Sequence, residues 1–109
     1  MSTNTTAAAR LGQIDTRIQR IKAEIVALGE MRPGTLTRQY KDPQRKSGAY
    51  YQLSYTLDMK SRTEYVPREY VQQARRQIAR YKRFKTLSTQ WVALSIQRWR
   101  LTVKLARGH

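Results

Sequence analysis

No cysteine occurs in the 109 residues, which excludes disulfides and thiolate metal sites. Histidine occurs once, as His109, so no imidazole pair is available to hold a metal or to move protons. No run of about 18 apolar residues exists that could cross a bilayer. The opening MSTNTTAAARLGQ lacks a charged segment followed by an apolar one, unlike a secretory signal, and cytoplasmic residence is expected. Carboxylates are scarce, with seven Asp and Glu in all. Asp42, Asp58, Glu64 and Glu69 form no spaced pair that one face would carry, so no enzyme, metal or cofactor is expected. A hydrophobic share of 39% and a mean hydropathy of -0.76 allow only a modest core.

What is abundant is positive charge. Twenty-two Lys and Arg give a net charge of +15. Residues 1–30 are nearly balanced, with four basic and three acidic side chains. Residues 31–69 hold eight against four, and residues 70–109 hold ten basic side chains and no acidic one. A solvated face normally mixes signs, so such a segment points to a polyanion, with nucleic acid ahead of an anionic membrane surface.

The apolar residues are patterned. Leu11, Ile14, Ile18, Ile21, Ile25 and Leu28 recur at steps of three and four, the seam of a coiled-coil-type helix over residues 8–30. The first seven residues, small and polar, are expected to fray, and Gly29 with Pro33-Gly34 ends the helix. Residues 35–41, TLTRQYK, form a first strand with Leu36, Arg38 and Tyr40 on one face. In residues 48–67, GAYYQLSYTLDMKSRTEYVP, Tyr51, Leu53 and Tyr55 alternate with Gln52, Ser54 and Thr56. A turn over Asp58-Met59-Lys60-Ser61 then returns through Arg62 to Val66, although it lacks the glycine of the commonest hairpins. A face carrying Tyr40, Tyr51, Tyr55 and Tyr65 would be unusually aromatic. Pro67 suits the first turn of a following helical region, residues 67–106.

In that region Val71, Ala74, Ile78 and Tyr81 recur at 3, 4 and 3, and Phe84, Leu87, Trp91 and Leu94 do so again. Two threes in succession at Tyr81–Phe84–Leu87 make a stammer, which overwinds a helix or breaks it near 86–90, where Ser88 or Thr89 is a candidate cap. Beyond Trp91 two stripes coexist: Trp91, Leu94, Leu101 and Leu105; and Val92, Ile96, Trp99, Val103 and Ala106. A helix apolar on two sides has two neighbours. One is taken as the first helix and the other as a second copy, making a homodimer. The expected fold is α+β in a single domain: an N-terminal coiled-coil-type helix, a three-stranded antiparallel sheet over residues 35–66, and a long basic C-terminal helix.

Three groups of residues are candidates for nucleic-acid contact. Arg76, Arg80 and Arg83 line up at helical spacing, flanked by Arg75, Lys82 and Lys85, as a ladder of phosphate contacts. The alternative is a solvated face, which the lack of acidic partners weakens. Arg38, Gln39, Gln52, Lys60, Arg62 and Thr63 are side-chain types that a small sheet presents to base edges. Tyr51, Leu53 and Tyr55 are expected to pack the sheet, whereas Tyr50, on the other face, is placed to stack on a base. The loop with Lys41, Arg45, Lys46, Ser47 and Gly48 could grip a phosphate, although the glycine spacing of a P-loop is missing.

Two resemblances add to this. The order strand, strand, strand, helix over about residues 35–85 is similar to the arm-site DNA-binding module of phage-type tyrosine recombinases, in architecture only. The run GTLTRQY, GAYYQLSY, KSRTEYVP and YKRFKTL, over about residues 31–95, resembles a family of small bacterial proteins of unknown function. Its members are commonly encoded in or beside mobile elements. Many carry a short cysteine cluster between the first two strands that suggests a zinc knuckle; residues 41–48 stand there without cysteine, so zinc is not carried over. The expected function is a nucleic-acid-binding (DNA or RNA) accessory protein of a mobile element. The alternative is an adaptor whose helices bind a larger enzyme such as a transposase. Membrane-surface binding by the Trp- and Arg-rich end (Trp91, Arg98, Trp99, Arg100, Lys104) is a third reading that the doubled stripe disfavours.

Overall fold

In the computed structural model, which describes residues 3–108, the order is α1 (Thr3–Ala27), β1 (Thr35–Asp42), β2 (Ser47–Leu57), β3 (Lys60–Val66), a 3-10 turn (Arg68–Tyr70) and α2 (Val71–Ala106). The architecture is α+β, as the periodicities require. The described residues fall into two compact units, one of α1 with α2 from Phe84 onward, the other spanning Gly29–Arg83. His109, the sole histidine, and the first two residues lie outside the described residues.

In the first unit, Ile14, Ile18 and Ile21 of α1 are buried with Leu87, Leu94 and Leu101 of α2, and Leu11, Ile25, Leu28, Trp91 and Leu105 pack around them. The seam starts earlier than expected. Ala7 is also buried in it, one step of four before Leu11, and the helix begins at Thr3. The helix ends at Ala27, and Gly29 follows with φ 82°, the left-handed conformation that glycine adopts freely at a helix C-terminus. On α2 the seam reads Phe84, Leu87, Trp91, Leu94, Arg98, Leu101, Leu105, an unbroken alternation of three and four in which one member is charged. Arg98 gives Nε and Nη2 to the two carboxylate oxygens of Asp15. The Lys22 ammonium lies over the Trp91 ring, 5.2 Å from its centre.

Of the two alternatives at the stammer, the long helix is continuous and the break near 86–90 does not occur. Val71–Ala106 is one helix of 36 residues, about 54 Å at 1.5 Å per residue. It contains no Gly or Pro, and the hydroxyl at the proposed cap folds back into the helix, Thr89 Oγ1 donating to the Lys85 carbonyl at 2.9 Å. The stammer has another cause. Val71, Ala74 and Ile78 pack on the sheet, whereas Leu87, Leu94 and Leu101 pack on α1, so the phase change marks a change of partner. Pro67 stands just ahead of the 3-10 turn and accepts the Tyr70 N–H, so α2 proper begins four residues later than expected.

In the second unit the strands pair antiparallel in the order β1-β2-β3. Residues directly opposite share a face. The register Leu36↔Leu53↔Glu64 and Arg38↔Tyr51↔Val66 defines the face covered by α2. Leu53, fully buried, sits with Val66, Val71 and Ile78, and Leu36, Tyr51, Tyr55 and Ala74 pack against them. Gly34 is needed at its entry: a Cβ there would lie 2.6 Å from Leu53 Cδ1, and its φ of 142° is one that L side chains rarely adopt. One expected grouping is corrected. Tyr65 pairs with Gln52, so it lies on the face opposite Tyr51 and Tyr55 and is 67% exposed. The aromatic face therefore loses one of its four members.

The hairpin turn is also tighter than expected. Leu57 pairs with Lys60, leaving a two-residue loop, Asp58-Met59, with φ of 52° and 65°. Two successive positive φ values give the primed turn whose twist matches a β-hairpin. Asp tolerates that conformation; Met tolerates it less well. Met59 is 98% exposed, so its side chain contributes no packing there. Replacing it, Met59→Gly, is expected to raise stability by roughly 0.5–1 kcal/mol in urea unfolding. A fall would show that the left-handed geometry is not limiting.

A polar cluster closes the other side of this hairpin. Tyr55 donates its hydroxyl to Glu64 Oε1 at 2.6 Å, Arg32 Nη2 reaches Glu64 Oε2 at 3.3 Å, and the Arg32 guanidinium lies 4.9 Å from the Tyr55 ring centre. The tyrosine hydrogen bond first, and then Arg32, hold the Glu64 carboxyl below its ordinary value, while the same bond raises the Tyr55 phenol. A depressed carboxylate contributes stability above its unfolded pKa of about 4.3 and loses it as pH falls through the lower folded value. Glu64→Gln is therefore expected to flatten the acid limb of a stability-against-pH curve measured by urea unfolding. An unchanged limb would show that the cluster does not couple to folding.

Candidate nucleic-acid interface

Because α2 covers one face of the sheet, the other is open. Its residues follow from the register: Thr35, Ser54 and Thr63 in one row; Thr37, Gln52 and Tyr65 in the next; Gln39 and Tyr50 beyond. Side-chain contacts run within and between these rows, with Ser54 Oγ 3.4 Å from Thr63 Oγ1 and Gln39 Nε2 donating to Thr37 Oγ1 at 3.4 Å. The face carries no carboxylate among the described residues. Hydroxyls, primary amides and two phenol rings make it a surface of neutral donors and acceptors, able to pair with base edges and to stack.

The positive residues proposed from sequence divide among separate surfaces. Lys41 lies on the open face, and Arg45 and Lys46 follow in the β1–β2 loop at the Gln39–Tyr50 end of the sheet. The loop is partly braced: Asp42 Oδ1 accepts the Arg45 backbone N–H at 3.3 Å, and its other oxygen lies 3.8 Å from Arg45 Nε. Tyr50 lies on the open face, half-buried. Arg38, Lys60 and Arg62 do not join it. They oppose Tyr51, Leu57 and Tyr55, so they belong to the α2-facing side and emerge at its margins, Arg38 with its guanidinium 5.4 Å from the Tyr40 ring centre.

The helical cations also separate. Val71, Ala74 and Ile78 turn toward the sheet, so the 100° step per residue turns Arg76, Arg80 and Arg83 away from it. The ladder and the open face are thus on opposite sides of this unit. Arg80 has a structural task as well, donating Nη1 to the Glu30 carbonyl at 3.2 Å, while Gln77 reaches the Glu30 carboxylate at 3.2 Å. Arg75 and Lys82 flank a groove between α2 and the start of β1 at Gly34–Leu36.

Sequence reasoning misses Tyr65 and Arg68 as candidates. Alternation alone groups Tyr65 with the wrong face, and only the strand register moves it beside Tyr50. Arg68 shows no strand or helix periodicity, because it stands in the short 3-10 turn. Both line a cleft with Tyr50 at the end of β3. Among the described residues no group of three or more His, Cys, Asp and Glu side chains comes together as a metal would require, and no helix is long and apolar enough to cross a membrane.

Neither a curated protein nor a solved structure matches the chain. A family model described as a domain of unknown function, DUF6788, matches residues 11–76, from the α1 seam through all three strands into the start of α2. That span is more than half of the sequence, and the chain belongs to the DUF6788 family.

Proposed function

We propose that the protein binds nucleic acid, DNA or RNA, as an accessory protein of a mobile genetic element. The observation that carries the binding proposal is the open sheet face, polar, uncharged apart from Lys41, and bordered at one end by Arg45 and Lys46. Neutral donors and acceptors suit base edges, and the cations at the end of the face suit the phosphates that flank them. The net charge of +15 draws a polyanion in from a distance. Arg76, Arg80 and Arg83, turned the other way, form a second phosphate-binding surface for a strand that does not cross the sheet. The mobile-element context rests on the sequence resemblance.

Fluorescence anisotropy with labelled duplex DNA, single-stranded DNA and structured RNA at two salt concentrations tests this. Affinity is expected to fall steeply with salt. A Lys41→Ala, Arg45→Ala, Lys46→Ala triple variant is expected to reduce the slope of log K against log salt by about 0.7–0.9 for each phosphate it no longer neutralises. Binding indifferent to salt would overturn the proposal.

A second reading, a protein-interaction adaptor, is favoured by the other stripe of α2. Val92, Ile96 and Trp99, spaced four and three, are 60%, 47% and 67% exposed. With Ser88, Trp91 and Ser95 they line a shallow apolar groove. A second copy of the chain is the occupant consistent with a homodimer, and a larger mobile-element enzyme such as a transposase is the other. Sedimentation velocity separates them. If the stripe joins two copies, the wild-type chain sediments as a dimer and Trp99→Glu as a monomer of unchanged helicity; a wild-type monomer leaves the stripe to a different protein.

A further inference from the structure

β2 outruns β3. The last β2–β3 pair is Tyr51↔Val66, and Pro67 has no N–H to offer the next position, yet β2 continues to pair with β1 through Tyr50, Ala49 and Ser47. Along that continuation the β3 side of β2 has no neighbouring strand among the described residues, so peptide groups pointing that way have no ladder partner there. The space beside it is a cleft of about 150 Å³ lined by Ala49, Tyr50, Tyr51 and Tyr65, with Arg38 and Arg68 at its margins. Tyr50 and Tyr65 both belong to the open face. Tyr65 is opposite Gln52, two residues from Tyr50, so the phenols are diagonal neighbours across strands.

This combination is specific in kind. The volume is below that of an ordinary small-molecule site and admits one flat ring, not a whole dinucleotide. Aromatic walls offer stacking, the unpaired strand edge offers hydrogen bonds in the plane of a ring, and two guanidiniums offer anion contacts. Bases stacked inside a duplex cannot reach such a recess, whereas those of a single strand can be splayed into it. We propose that the cleft receives one unstacked nucleobase of a single strand lying on the open sheet face, stacked against Tyr50 or Tyr65, with Arg68 on an adjoining phosphate and Arg38 reaching the cleft from the α2-facing side. The proposal deepens the nucleic-acid reading above, rests on it, and commits it to single strands.

The test uses the full chain with single-stranded DNA and RNA oligonucleotides of about 12 nucleotides, within the span of known single-strand sites. Each carries 2-aminopurine at successive positions, and duplexes of the same sequence are run in parallel. Wild-type protein is expected to change the 2-aminopurine emission of the single strand and to bind it more tightly than the duplex. Tyr65→Ala and Tyr50→Ala are expected to lose that spectroscopic change and to bind the single strand about 5- to 150-fold more weakly, with a smaller loss of duplex affinity. Tyr65→Phe and Tyr50→Phe, which keep the ring, are expected to restore both. Tyr65 is 67% exposed, so its truncation leaves the core intact, and circular dichroism checks this. Tyrosine variants that bind like wild type, or that lose duplex and single strand equally, would overturn the cleft and leave the broader reading standing. Failure of the wild-type chain to bind either form would overturn both.

Discussion

The sheet unit depends on the burial of one leucine. Leu53 has no exposed surface, and the groups around it come from every part of the unit: Gly34 at the entry to β1, Leu36 beside it, Val66 at the end of β3, Val71 and Ile78 on α2. So few buried side chains leave little redundancy. Together they must draw on every element for the three strands and the helix to hold one another at all. Covering one face with α2 is what this arrangement demands, and the opposite face stays open as a consequence. A sheet solvated on one side is ordinary for antiparallel strands. What distinguishes this one is the chemistry of the solvated side: hydroxyls, amides and phenols where charged side chains would be expected.

Charge is arranged around that face more than on it. The carboxylates of the unit are mostly occupied by local tasks, Asp42 bracing its loop, Glu30 receiving Gln77, and Glu64 receiving Tyr55 and Arg32. A polyanion approaching the sheet meets neutral donors in the middle and arginine and lysine at one end, a division that separates contacts that hold from contacts that discriminate.

Much of this is legible in the sequence. The heptad seam of α1, the alternation of Tyr51, Leu53 and Tyr55, and the order helix, sheet, helix follow from periodicity alone, because burial on one side of a regular element leaves its own period. The misplaced features are those that periodicity does not carry. Tyr65 goes to the wrong face because which face a strand presents is set by its pairing register: a turn with an even number of residues puts Tyr65 opposite Gln52, and a slip of one residue would put it with Tyr51 and Tyr55. Met59 hides the tight turn, since the usual marker is glycine. The stammer at Tyr81–Phe84–Leu87 is visible and suggests a break, although an uninterrupted helix serving two partners leaves the same trace. Arg98 interrupts the apolar seam and conceals that the spacing continues through it.

That arginine has a consequence of its own. A run of isoleucines and leucines repeating every seven residues fits its partner nearly as well after sliding by one repeat, about 10.5 Å along the axis. Trp91 and Ala7 apart, little in the greasy contacts distinguishes the right alignment from the shifted one. Asp15 and Arg98 do, because only one axial setting brings two nitrogens of the guanidinium, Nε and Nη2, onto both oxygens of the carboxylate. The pair works as an index pin: it need add little to how tightly the two helices grip in order to determine where they stop.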